Sequence, residues 1–183
     1  MTKVSDEVAG LPLRSQVAFA AISAERALAE GAPYTKRDVR KDPLYRKALD
    51  LAWKVAGGED LDYGREVEPI HEQVARSIPD IDAPGADEVL TYIASAVART
   101  LFVLQAPERA AKAALGAGNA TLGLMGLLYE DHDGAEKGER VWQAAAVEAL
   151  RTAGNRPITR DLFGSIPDWK RGAVYKVFRK KAT

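Results

Sequence analysis

The chain has 183 residues, enough for one domain with a real core, and no cysteine, which excludes disulfides and thiolate metal sites. Its 46% hydrophobic and 28% charged residues are ordinary for a globular protein. Net charge is zero but uneven: residues 1–56 carry a net of +3, residues 57–90 a net of −8, and residues 91–183 a net of +5. Such asymmetry bears on partner choice rather than on fold. The apolar runs are broken by charges, Gly or Pro before they reach the roughly 18 residues of a spanning helix. The start, MTKVSDEVAG, places acids where a signal peptide needs an apolar stretch. A cytoplasmic protein with no membrane partner is the expectation.

In chain order, Pro12 suits a first helical turn, and Leu13, Val17, Ala20, Ala21, Ala24 and Leu28 recur at helical spacing until Gly31. Phe19 and Ile22 point away from that stripe, so this helix has apolar contacts on two sides and is expected to be central. Asp42-Pro43 reads as an N-cap with a first-turn proline, opening a helix with Leu44, Ala48, Leu51, Ala52 and Val55 inward and Leu49 and Trp53 widening the stripe. Gly57-Gly58 ends it.

A third helix is predicted over about 65–77, with Val67, Ile70, Val74 and Ile78 inward. Ile78 to Asp87 must be a loop, since two prolines and a glycine cannot continue a helix. The most apolar helix follows, about 87–105, built on Val89, Leu90, Ile93, Ala94, Val97, Leu101 and Leu104. Pro107 starts another, to about Tyr129, with Gly116, Ala120 and Gly123 on one face. Each glycine there costs about 1 kcal/mol relative to alanine, so that face implies close backbone contact, within the chain or across a homodimer. Glu130 to Gly134 reads as a turn before a helix over about 135–153, with Trp142, Ala145, Ala146, Ala149 and Leu150 inward. A short basic helix is expected in the tail. No segment shows sustained strand alternation. The fold expected is all-α, a single multihelical bundle of about six to seven helices without a sheet. It is one domain over 1–183, with its core in 11–153 and a C-terminal extension over 154–183.

Four stretches resemble known sites, and three of them fail on chemistry. His71-Glu72 opens like a zinc-protease helix, but Ala75 stands where the second histidine belongs, and a solvent-facing pair is the better reading. In Tyr129 to Arg140 a calcium loop aligned on Gly134 would place Tyr129 and Arg140 at positions that need oxygen ligands. GAGNATLG has Thr121 in place of the third glycine, and no strand precedes it. The tail intersperses Trp169, Tyr175 and Phe178 among cations, the composition of a nucleic-acid contact. A terminal helix with cations near its C-terminal end also accounts for it, and in a chain of zero net charge that reading is preferred, so nucleic acid is not the expected partner. No catalytic residue, metal ligand or cofactor-binding residue is assigned.

The acidic run Glu59, Asp60, Asp62, Glu66, Glu68 and Glu72 is the candidate partner-binding surface. A metal-dependent hydrolase with Glu68, Glu72 and Asp131 as ligands is the alternative, but it needs carboxylates at i, i+4 on two facing helices. Glu25 and Arg26 are adjacent in an apolar helix. At about 3.6 residues per turn, Arg26 shares the side of Phe19 and Ile22 while Glu25 lies about a quarter-turn away. Two groups on different sides do not share one substrate proton; each is expected in a structural ion pair with another element.

The segments QVAFAAISAERAL, KALDLAWKVAGGED, VEPIHEQVARSIPDID and YIASAVARTL resemble, in sequence order, the YjaG-like bacterial proteins, a family of unknown function. GNATLGLMGLLYED and GERVWQAAAVEAL fall where that family has its later helices. The resemblance spans about 11–153 and implies a multihelical fold. It departs at Ser95, where the family tends to have aspartate, and from Asn155 onward. A looser similarity is to the all-helical immunity proteins of bacterial toxin systems. Together with the acidic block, it points to a non-enzymatic protein that binds another protein, in its most concrete form a toxin with a basic surface.

Overall fold

The structure, a computed structural model, describes residues 4–36, 38–80 and 87–168. It is all-helical, with no β-strand among the described residues. The α-helices are α1 (Val4–Ala9), α2 (Leu13–Gly31), α3 (Pro43–Gly57), α4 (Glu68–Arg76), α5 (Glu88–Gln105), α6 (Ala110–Leu128) and α7 (His132–Ala153).

Helix α2 is the centre of the bundle, packed against α3, α5, α6 and α7. Its composition explains why. Val17, Ala18, Phe19, Ala20, Ala21, Ala24 and Ala27 are all fully buried, so apolar residues surround the helix instead of lining one stripe. The many alanines let neighbouring axes approach, and hydroxyls stitch the seams. Thr100 of α5 donates to the Ala20 carbonyl at 3.1 Å, and Thr121 of α6 donates to the Ser23 carbonyl at 2.8 Å. Fully burying a side chain such as Phe19 or Leu28 stabilises the fold by about 1.5–3 kcal/mol.

The ends of the helices follow local chemistry. Asp42 accepts from the Leu44 N–H with Pro43 behind it, and Gly58 closes α3 in the left-handed region at φ 105°. Asp87 caps α5 through the Leu90 N–H. Helix α6 runs unbroken through its glycines. The face of Gly116 and Gly123 is occupied within the chain by α5: the Arg99 side chain lies over Gly116 and the Tyr92 ring over Gly123.

Several expectations needed correction. Helix α1 was not anticipated, yet Val8 is fully buried and α1 packs on α6 and α7. Ile158 and Phe163 are buried as well, so the core extends beyond 11–153 on both sides. Leu13 is 42% exposed although Ser15 and Gln16 in the same turn are buried, so it lies on the solvent side of the start of α2. The third predicted helix begins with a π-helical turn over Tyr63–Val67 before α4. Helix α7 starts at His132, not 135: Asp131 accepts from the Gly134 N–H and extends the helix into the expected turn. Helix α5, 18 residues long, is long and apolar enough by composition to cross a membrane, although half of it is buried in the bundle. The predicted basic C-terminal helix, with Trp169, Tyr175 and Phe178, lies outside the described residues, as does most of the loop from Ile78 to Asp87.

Candidate functional site

The acidic candidates occupy one continuous stretch from the end of α3 to the middle of α4, and all six are exposed. Their local roles differ. Asp62 accepts from the Arg65 N–H at 3.2 Å, while Glu66 reaches back to accept from the Asp62 N–H at 3.0 Å. This reciprocal arrangement satisfies two backbone donors at the start of the π-helical turn. Glu72 accepts from Arg76 one turn on, at 2.9 Å. Glu59, Asp60 and Glu68 have no ion-pair partner among the described residues. The helix that carries the outer acids is amphipathic, with Ile70 and Val74 buried beneath it, so the carboxylates face away from the core.

His71 is not the solvent-facing residue expected. It is half-buried with its ring 6.0 Å from that of Phe102 on α5. Burial lowers its pKa, against the opposing pull of Glu72 and Glu68. Next to it the Tyr63 hydroxyl is buried without a hydrogen-bond partner among the described residues, and burial, followed by the charges of Glu68 and Glu72, raises its pKa. Among the described residues no three His, Asp or Glu side chains converge on a point that could hold a metal. Asp131 is engaged in capping α7 and does not join Glu68 and Glu72.

Glu25 and Arg26 point into two separate clusters. The Arg26 guanidinium donates to both carboxylate oxygens of Glu139 on α7, the shorter bond being 2.8 Å, and stacks 4.1 Å from the Trp142 ring centroid. Glu139 is fully buried, and Gln143 bridges it to α6 by donating to the Gly118 carbonyl at 3.0 Å and to Glu139 at 3.4 Å. Glu25 turns toward α3, accepting from the Trp53 indole at 3.0 Å and from Arg160 at 2.6 Å. Arg160 also donates to Asp50 at 2.9 Å. Burial works against the charge of Arg160, but its bonds to Glu25 and Asp50 outweigh that and raise its pKa.

The partners Glu139, Gln143 and Arg160 were not anticipated. Glu139 carried a signal: it sits four residues after Ala135 and three before Trp142, on the buried stripe of its helix. An acid at such a position demands a buried cation. Arg160 carried none, being one of several cations in an irregular segment. At the other end of α2, the Tyr129 hydroxyl donates to Glu30 at 3.2 Å. Burial first, then Glu30, pushes its pKa far above the usual tyrosine range. No protein-family model matches the chain, and no curated protein or solved structure matches it significantly.

Proposed function

We propose that this chain is a non-catalytic helical module that binds another protein through the acidic surface around Glu59, Asp60 and Glu68. The observation that carries the reading is that these three carboxylates are exposed and have no ion-pair partner among the described residues, beside others that hold the local fold. Unpaired surface charge of one sign steers a partner of the opposite sign and weights recognition toward basic surfaces. A toxin with a basic nucleic-acid-binding cleft is the most concrete partner of that kind, and neutralising it would be the role.

Reversing Glu59, Asp60 and Glu68 to lysine should sharply reduce capture of the partner from the native organism, most of all at low salt, where screening is weakest. Asp62 and Glu66 are left intact because they cap the chain locally. Equal capture by the reversed and native proteins would place the interface on another surface.

A further inference from the structure

The acidic stretch has a cationic inner edge. Across it runs a groove of about 490 Å³ between α3 and the Tyr63–Val67 turn with α4. Lys47, Asp50, Leu51 and Lys54 form one wall, at spacings that put them on a single face of α3. Arg65, Glu66, Pro69 and Ile70 form the other. Of the two acids, Asp50 is paired with Arg160, while Glu66 accepts from the neutral Asp62 N–H and keeps its charge. The three cations have no ion-pair partner among the described residues. What the groove offers a ligand is therefore an excess of positive charge beside the apolar side chains of Leu51, Pro69 and Ile70. Its volume falls within the roughly 300–1,000 Å³ of small-molecule sites.

We infer that this groove binds a small organic phosphomonoester. A dianionic phosphate matches three cations offset by the Glu66 carboxylate better than a monoanion does, and arginine and lysine are the side chains suited to it. The apolar side chains require an organic body on the phosphate, so free phosphate is the poorer ligand. The site adjoins the proposed protein-binding surface but uses other side chains: its cations are not among the carboxylates reversed in that test, and either proposal can fail alone.

Phenyl phosphate, inorganic phosphate and benzoate, each titrated into the ¹⁵N-labelled full chain, test it. Phenyl phosphate should give saturable amide shifts confined to residues 47–54 and 65–70, at lower concentration than either of the others. Lys54→Gln and Arg65→Gln, both at exposed positions, should each weaken it roughly tenfold, the scale of one lost charge-assisted hydrogen bond. Absence of saturable shifts would overturn the inference. So would equal binding of inorganic phosphate, which would mean nonspecific anion attraction, or unchanged affinity in both variants.

Discussion

Arg26 keeps only 14% of its side chain exposed, and its partner Glu139 keeps none. Removing one member of such a pair leaves the other charge in a medium that solvates it poorly, which is why breaking a buried pair costs more than the pair contributes. Arg26→Ala should therefore lower stability by about 3 kcal/mol in urea unfolding, stranding the Glu139 carboxylate without its guanidinium. Arg26→Lys should recover only part of this, because an ammonium lacks the two guanidinium nitrogens that hold Glu139 and the delocalised cation placed over the Trp142 ring. A loss under about 0.5 kcal/mol, typical of ordinary surface positions, would show that Arg26 does not hold α2 to α7.

At the scale of elements, glycines separate local propensity from packing. Gly57 is the last residue of α3, and a Cβ added there meets nothing within 4 Å. Gly57→Ala should stabilise the protein by up to about 1 kcal/mol, the helix-propensity difference. Gly118 sits in α6 at the junction with α2 and α7. A Cβ there would lie 3.1 Å from the Phe19 ring and 3.3 Å from the Gln143 side chain. Phe19 is fully buried and has no room to yield. Gly118→Ala should gain the same propensity and lose more, about 1–3 kcal/mol net as for other overpacked cores. Thermal unfolding of the two variants should move in opposite directions; a rise in both would mean that the α2–α6 seam is looser than the distances imply.

At the scale of the molecule, the segment after α7 crosses the bundle as a strap. The Ile158 N–H donates to the Ala56 carbonyl at 3.2 Å, Phe163 packs 6.1 Å from the Trp53 ring, and Arg160 bonds Glu25 and Asp50. Two kinds of force hold it, and their magnitudes differ. Arg160 is 45% exposed and its partners Asp50 and Glu25 are 61% and 18% exposed, so water reaches both pairs and each contributes at most about 1 kcal/mol. Phe163 is 5% exposed, and deleting a buried aromatic costs about 3–5 kcal/mol. Arg160→Ala should thus cost less than Phe163→Ala, and less still in high salt, whereas the Phe163→Ala loss should not depend on salt. Urea unfolding of both variants, followed by tryptophan fluorescence at low and high salt, reads the comparison. Equal losses would mean that charge, not apolar contact, keeps the strap in place.

What the sequence determined by itself was local. Helical periodicity, Asp42-Pro43, Gly57-Gly58 and the prolines after Ile78 were enough to place α2 to α7 and the all-helical class, because caps, breakers and apolar spacing act within a few residues. It also made α2 central, since only a surrounded helix tolerates apolar residues on all sides. Helix α1 was missed because six residues are too few to show a period. The site was far less legible. A charge count along the chain finds carboxylates at 59–72, yet does not reveal that Lys47 and Lys54 share a groove with Arg65 and Glu66. Nor does spacing show that Glu139 lies 113 residues from its partner, or Arg160 135 from Glu25. Pairings at that separation depend on how helices pack, and packing is decided by the summed fit of many side chains, which no local pattern encodes.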